Sequence, residues 1–480
     1  MKKDYLLPNL ENARKRDKEV SDTLIFSVDD KYKDLGKGKK YYVITHGCQA
    51  NVRDSETISG VLQSLGFIAS KDENDADVII INTCAVRQGA EDKVLGQLGA
   101  LKRIKMAKPD LIIGIGGCMA QEEETVNTIL EKYRQVDIIF GTHNITSLPH
   151  LLFDVYQTRK RRVEVYSKMG EIIENVPATR FMSHKAWVNI MYGCNNFCTY
   201  CIVPYTRGKE RSRNREDIIN ECKQLVQQGY KEICLLGQNV NSYGRDLNNN
   251  YGFGQLLNDV AKTGIPRLRF MTSNPWNFDD SIIEAFKNNS NIMPYIHLPI
   301  QSGNSHILSK MNRKYTREEY FALFDKLKAQ IPGCSFTTDI IVGFPNETDE
   351  MFEDTLSAVE HCKYDNAFTF IYSKREGTPA AKMEDSIDSK IKEARLQRLN
   401  ERVAYYANLN NQKFKDAIVE VLVDGISKRN SNTYSGYTPE NKLVNFTGDE
   451  IHVGDFVKVK ITEVLSFSLN GVAIEKQWVF

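Results

Sequence analysis

Between residues 40 and 150, short apolar runs alternate with longer amphipathic stretches. "KYYVITHGC", "DADVIIINTC", "PDLIIGIGGC" and "VDIIFGTHN" are rich in Val and Ile and end in Gly, Asn or Cys. Runs of that length and content predict buried strands. "RDSETISGVLQSLGF" and "GAEDKVLGQLGALKRIKM" carry their apolar residues at helical spacing. Strands alternating with helices predict an α/β domain with a doubly wound parallel sheet. Residues 151–180 read as a polar connection, with a hairpin in "RRVEVYSKMGEIIENVP". Six further strands follow: "AWVNIMYG", "EICLLGQNV", "RLRFMTSN", "IHLPIQSG", "SFTTDIIVGF" and "NAFTFIYS". With helical stretches between them they predict a partial β/α, TIM-like barrel. The amphipathic stretch "SKIKEARLQRLNERVAYYANLNNQKF" leads out to "DAIVEVLVDG", "NTYSGYT", "KLVNFTG" and "DFVKVKITEVLSFSLNGVAIE". Close strand spacing with glycine turns predicts a small all-β barrel there.

The expected organisation is therefore a charged extension over 1–37, a sheet domain over 38–150 and a linker over 151–180. A central barrel over 181–411 and a small β-barrel over 412–480 complete it. At 480 residues, with 41% hydrophobic and 26% charged positions, the chain has the composition of a globular protein. No run of 18 apolar residues predicts a membrane span, and the N-terminus lacks an apolar signal core. A cytoplasmic protein with no membrane partner is expected. In a reducing compartment, its ten cysteines point to metal binding or catalysis rather than to a disulfide framework. The net charge of +1 neither demands nor excludes a polyanion, so local charge matters more. The basic run "RGKERSRNR" reads either as a solvated face or as a phosphate-contacting segment.

Cys48, Cys84 and Cys118 each end a predicted strand, one strand–helix unit apart. In an open parallel sheet, neighbouring strand ends open on one crevice. Three core cysteines are the plain alternative, but core residues have no reason to recur at one corresponding position. A shared metal or cluster site is the sharper reading, and iron–sulfur fits better than zinc because no fourth ligand is evident. Cys194, Cys198 and Cys201 form a compact C-x3-C-x2-C set after the first barrel strand. No second C-x2-C pair or histidine accompanies it as in zinc sites. Cys222, Cys234, Cys334 and Cys362 show no grouping and read as packing.

C-x3-C-x2-C after a first barrel strand, with Tyr200 before the last cysteine, resembles the radical S-adenosylmethionine (SAM) superfamily. That resemblance implies three cysteines holding a 4Fe–4S cluster whose fourth iron is left to SAM. An electron from the cluster then cleaves the sulfonium to methionine and a 5′-deoxyadenosyl radical. Two three-cysteine sets and a terminal β-barrel on one chain resemble the methylthiotransferases, from about residue 40 to about residue 475. The resemblance implies an auxiliary 4Fe–4S cluster on Cys48, Cys84 and Cys118, the radical SAM cluster on Cys194, Cys198 and Cys201, and a C-terminal TRAM domain.

"THGCQANVRDSE", "NTCAVRQGAEDKVLGQLG", "GCNNFCTYCIVPYTRGKERSR", "LLGQNVNSYG" and "FTTDIIVGFPNETDE" are similar to the MiaB-type, isopentenyladenosine branch of that family. Gln49 after the first cysteine separates this branch from its sisters, which usually carry lysine there. Two positions depart from the usual pattern: Ala50 replaces a methionine, and Asn274 replaces the histidine of "SHP". The branch implies conversion of N6-isopentenyladenosine to its 2-methylthio derivative at tRNA position 37, beside the anticodon. One SAM would donate methyl and a second would supply the radical. An adenine C–H is not acidic, so a carbon radical suits the task where a base does not. The alternatives are methylthiolation of threonylcarbamoyladenosine tRNA or of a ribosomal protein aspartate. From another class, a non-catalytic iron–sulfur RNA-binding protein stands as the rival.

Gly237, Gln301, Ser302, Asp339 and Gly343 sit at predicted strand ends and are candidate cofactor contacts, with loop packing as the alternative. Arg207, Lys209, Arg211 and Arg213 are candidates for tRNA phosphate or the cofactor carboxylate. In the small barrel, Lys428, Arg429 and Lys442, with Lys458 and Lys460, interleave with Tyr434, Tyr437 and Phe446. Basic and aromatic surfaces of small barrels bind RNA strands, although such aromatics are as often core. The resemblance further implies an external electron donor such as flavodoxin or ferredoxin, and a self-contained chain of this kind points to a monomer.

Overall fold

The computed structural model describes residues 5–14, 23–85, 88–167, 172–247, 250–427 and 430–477. The chain divides into two compact units. The first holds Met1–Phe181, Met191–Phe197 and Cys201–Arg213, and the second Met182–Ile190, Cys198–Tyr200 and Asn214–Phe480.

The first unit is built on a parallel sheet of β1 (Lys40–His46), β2 (Ile68–Ala69), β3 (Val78–Thr83), β4 (Ile112–Gly117), β5 (Ile138–Phe140) and β6 (Arg162–Glu164). Its spatial order is β2-β1-β3-β4-β5-β6. Four helices accompany it: α1 (Gln49–Ser64), α2 (Gln88–Ala107), α3 (Glu123–Lys132) and α4 (Leu148–Thr158). Alternating strand residues feed two separate cores, as a double winding requires. Ile79, Ile81, Ile113 and Ile115 pack with Val94 and Leu98 of α2 and Val126 and Ile129 of α3. Val78, Ile80 and Ile112 pack with Ile58, Val61 and Leu62 of α1 and Leu151 and Val155 of α4.

Among the described residues of 151–180, Arg162–Glu164 and Ile172–Glu174 pair with other strands and not with each other. The segment continues α4, adds β6 as a sheet edge, and supplies the strand Ile172–Glu174, which pairs in parallel with Thr23–Ile25. The middle of the expected hairpin, residues 168–171, lies outside the described residues.

In the second unit, β7 (Lys185–Asn189), β8 (Glu232–Leu236) and β9 (Arg267–Phe270) form one parallel sheet. β10 (Tyr295–His297), β11 (Ser335–Val342) and β12 (Asn366–Ile371) form another. A parallel bridge from Leu268 to Ile292 joins them into a sequential partial barrel. Its helices are α5 (Arg215–Gln227), α6 (Phe253–Ala261), α7 (Asp280–Asn288), α8 (Ser305–Lys310), α9 (Arg317–Gln330) and α10 (Asp349–Cys362). Side-chain caps start several of them. Asn214 accepts from the Glu216 amide, and Thr316 and Glu319 form a reciprocal capping box. Helix α11 (Ser389–Asn411) packs on β12 and α10.

The C-terminal strands are β13 (Ile418–Ile426), β14 (Tyr434–Tyr437), β15 (Leu443–Thr447), β16 (Phe456–Val464) and β17 (Leu469–Gln477). They close in the order β13-β14-β15-β17-β16, so no edge remains open. This barrel docks on the amino ends of the central strands. Arg267 donates to the Tyr437 carbonyl at 2.7 Å, and Arg269 to the Thr438 and Pro439 carbonyls at 2.8 Å each. His184 pairs with Asp424 at 2.8 Å, and Lys442 with Asp365 at 2.7 Å.

Candidate functional site

In the first unit, His46 of β1 stands beside Thr83 of β3, and Thr83 beside Gly117 of β4. Cys48, Cys84 and Cys118 therefore leave three neighbouring strands at one level. The sheet order reverses between β1 and β3, which is where open α/β sheets receive ligands. Cys48 is the N-cap of α1, where the Asn51 side chain accepts from its amide at 3.3 Å and lies 3.4 Å from its Sγ. The Asn51 amide also donates to the Thr83 carbonyl at 3.2 Å, tying α1 to the end of β3. Gly117 has φ +95, and an added Cβ would stand 2.4 Å from the Thr83 carbonyl oxygen. Only glycine lets β4 turn there and bring Cys118 this close to its neighbours.

Arg207 reaches the same thiols. Its guanidinium pairs with Asp54 of α1 at 2.6 Å, and both side chains are 11% exposed. The Cys48 thiol is lowered to about 5, first by a hydrogen bond with Cys84, against burial, and further by Arg207. Burial pushes the Cys118 thiol up, with Arg207 pulling the other way. Burial likewise opposes the Arg207 charge, but Asp54, Cys118 and Cys48 outweigh it and hold that guanidinium well above its ordinary value. The pocket thus favours anionic sulfur at Cys48, while burial opposes it at Cys118. Among the described residues no three Cys, His, Asp or Glu side chains stand close enough to hold a single metal ion. Three cysteine thiols at neighbouring strand ends are the type of donor set that iron–sulfur clusters take.

The second set lies on one loop. Cys194 and Cys201 belong to the first unit and Cys198 to the second. The short antiparallel ladder of Met191–Tyr192 with Arg211–Ser212 closes the loop, and the Cys194 amide donates to the Gly208 carbonyl at 3.0 Å. Gly193 has φ +71, and a Cβ there would stand 1.9 Å from the Lys209 carbonyl oxygen. In the second unit, Thr199 donates its amide to the Met311 carbonyl at 3.0 Å and its hydroxyl to the Lys310 carbonyl at 2.8 Å. Tyr200 packs against Ile307, Met311, Phe344 and Tyr372.

Of the candidate cofactor contacts, Gln301 and Asp339 come together. The Gln301 amide donates to the Asp339 carbonyl at 2.9 Å, and Gln301 takes φ +70. The Asp339 carboxylate stands 3.4 Å from His297 Nε2 and is 31% exposed. Gly237 accepts at its carbonyl from Thr272 at 2.5 Å. Ser302 is fully buried, and its hydroxyl stands 3.5 Å from the Thr355 hydroxyl of α10. Gly343 donates to Glu347 at 2.9 Å and leaves room for the Lys392 stem, which a Cβ would meet at 2.5 Å.

Several of the basic candidates are engaged within the protein. Arg207 is spent on Asp54, and Arg213 pairs with Glu174 at 2.6 Å, with side chains 7% and 9% exposed. Arg211 is buried and Lys209 half-buried. Lys442 is held by Asp365, with the side chain 8% exposed. Arg207, Arg213 and Lys442 thus close internal ion pairs. Lys428 and Arg429 lie outside the described residues. Phe446 is barrel core, and Tyr434 leans on it at 6.0 Å between rings. Lys458 is half-buried and Lys460 exposed on the outer face. Cys222, Cys234 and Cys362 are buried as packing residues, and burial pushes the Cys234 and Cys362 thiols up to about 12.

Arg313 and Trp276 escaped the sequence reading. Arg313 donates to Cys198 Sγ at 3.4 Å, and its guanidinium lies 4.9 Å from the Trp276 ring centroid. The signal for Trp276 was the departure "SNPWNF" itself, whereas nothing in "NRKYT" singles out one arginine.

Comparison with known proteins agrees with this architecture. The radical SAM superfamily model matches residues 188–359, and the TRAM domain model residues 412–474. A model described as the uncharacterized protein family UPF0004 matches residues 40–141. The chain is 52% identical over 472 residues to the tRNA-2-methylthio-N(6)-dimethylallyladenosine synthase of Staphylococcus saprophyticus, covering 98% of this chain and 92% of that one. It is 53% identical over 474 residues to the enzyme of the same name from Bacillus cytotoxicus, covering 98% and 93%. Among solved structures, the radical SAM methyltransferase TsrM of Kitasatospora setae shares the fold, with a TM-score of 0.51 at 13% identity over 72% of this chain and 75% of that chain. No described helix is long and apolar enough to cross a membrane. The chain belongs to the tRNA methylthiotransferases of the radical SAM superfamily, in the family of the tRNA-2-methylthio-N(6)-dimethylallyladenosine synthases.

Proposed function

We propose that this enzyme converts N6-isopentenyladenosine (dimethylallyl and isopentenyl name the same group) to 2-methylthio-N6-isopentenyladenosine at tRNA position 37. It uses two SAM, one as methyl donor and one as radical source, and draws electrons from an external donor such as flavodoxin or ferredoxin. Cys48, Cys84 and Cys118 hold one 4Fe–4S cluster, and Cys194, Cys198 and Cys201 hold the other. The observation that carries this reading is the pair of three-cysteine sets on one chain, each with a buried guanidinium against a cysteine sulfur.

When bound, the two clusters supply an electron for SAM cleavage and a seat for the sulfur to be transferred. The chain's residues bind and orient. Arg207 and Asn51 steady the Cys48 sulfur, and Arg207 offsets thiolate charge in a buried place. Three cysteines per set leave a place for an outside ligand, which a fourth protein ligand would block. Gly237, Gln301 and Asp339 are the residues we assign to SAM, and Gly343 keeps the end of β11 free of a side chain beside them. RNA contact falls to Lys209, Lys460 and the segment carrying Lys428 and Arg429. A tRNA substrate places the enzyme in the cytoplasm, and it is read as a monomer.

The test is anaerobic reconstitution with iron and sulfide, followed by SAM, reductant and tRNA bearing isopentenyladenosine. Nucleosides from the digested tRNA are then weighed by mass spectrometry. A methylthio-sized gain on that nucleoside is expected. Release of 5′-deoxyadenosine without the gain would sink the substrate but not the radical chemistry. The same assay would then be run with threonylcarbamoyladenosine tRNA and with the ribosomal protein.

A further inference from the structure

Arg313 follows α8 and is 9% exposed. Its Nε donates to the Tyr315 hydroxyl at 3.0 Å, Nη2 to the Pro299 carbonyl at 3.2 Å, and Nη1 to Cys198 Sγ at 3.4 Å. The guanidinium lies against two neighbouring rings, 4.9 Å from the Trp276 centroid and 5.2 Å from the Tyr315 centroid, which are themselves 5.8 Å apart. The Tyr315 hydroxyl donates to the Ile300 and Pro299 carbonyls at 2.9 and 3.1 Å, so its oxygen is oriented to accept from Arg313. Among the described residues Arg313 meets no carboxylate. A buried cation with no counter-carboxylate is costly unless some negative group belongs beside it. The sulfur of Cys198 is the group it addresses.

We propose that Arg313 is a positioning residue for the cluster assigned above to Cys194, Cys198 and Cys201: it ties the Cys198 sulfur to the end of β10 and raises that cluster's reduction potential. The inference rests on that assignment. On reduction the site gains one electron, and no bond is made or broken. A fixed positive charge in a dry setting stabilises the added negative charge. Hydrogen bonds to ligand sulfur act in the same direction. The planar fork matters as well as the charge, because it holds sulfur, carbonyl and hydroxyl at once. Lysine offers a point charge on a flexible stem and does not reproduce that geometry.

The experiment uses the full-length chain with Cys48, Cys84 and Cys118 all replaced by alanine, so that one cluster reports. Parent, Arg313→Lys and Arg313→Met are reconstituted anaerobically. Iron content is measured, and the midpoint potential is read by electron paramagnetic resonance during a redox titration. In Arg313→Met, reduction is expected to become about tenfold less favourable, a drop of about 59 mV for one electron. Arg313→Lys is expected to fall between the other two, and it decides the matter alone if the methionine variant does not fold. Arg398→Met removes an exposed arginine paired with Glu353, and its potential is expected to equal the parent's. Equal potentials in parent and Arg313 variants, at equal iron content, would overturn the proposal. A parent that assembles no cluster would overturn the assignment beneath it, which is a different result.

Discussion

Cys48, Cys84 and Cys118 come from three strands of one sheet, whereas Cys194, Cys198 and Cys201 come from a single loop. The first set exists only if β1, β3 and β4 pair in the right register. A slip by one residue would turn every side chain of a strand to the other face. The second set is fixed by sequence spacing and needs only that its loop be held. The two arginines differ in the same spirit. Arg207 brings a carboxylate with it, so its charge is cancelled locally, while Arg313 carries its charge uncancelled to the sulfur. A site assembled by topology is thus neutralised within the protein, and a site assembled by a loop leaves charge for what it binds.

Removing one cysteine from each set separates the two sites most clearly. Cys198→Ala is expected to abolish both 5′-deoxyadenosine release and tRNA product. Cys48→Ala is expected to keep the former and lose the latter. Chromatography of the nucleoside products separates the cases, and parallel behaviour of the two variants would dissolve the division of labour.

Next in size is the charge. Arg207→Met strands Asp54 in a buried place, which costs about 3–5 kcal/mol when one partner of such a pair is lost. Arg313→Met strands no carboxylate and is expected to cost less. Denaturant unfolding of the metal-free chains measures both, and equal losses would erase the distinction. Gly117→Ala and Gly193→Ala should each cost about 1–3 kcal/mol from backbone strain alone, with more from the carbonyls they would meet. Their effects should divide by site: lost iron on the auxiliary set for the first, lost SAM cleavage for the second. The smallest effect belongs to Asn51→Ala. It leaves the Thr83 carbonyl and the Cys48 amide without their partner, at about 1–3 kcal/mol.

Where local pattern carried the information, the sequence was legible. The buried strands announce themselves as Val and Ile runs, and the three cysteine-bearing ends follow from sheet topology. The edge strand β6 did not, because three residues of "RVE" show no period. Nor did the pairing of Thr23–Ile25 with Ile172–Glu174, which joins segments far apart in the chain. The partners of the basic run are hidden for a related reason. Asp54 lies 153 residues from Arg207 and Glu174 lies 39 from Arg213, so no local pattern reveals that those charges are already spent. Arg313 was hidden in the same way, 115 residues from the sulfur it meets.

The small C-terminal barrel is fastened beneath the central strands by two buried arginines that grip three successive carbonyls, 437 to 439. Pulling it away would leave Arg267 and Arg269, each under 5% exposed in place, facing water with their acceptors gone. The barrel is therefore a floor rather than a pendant. The two should melt as one body, in a single calorimetric transition, and deleting the barrel should cost the catalytic half its solubility as well as the RNA contacts assigned to Lys460.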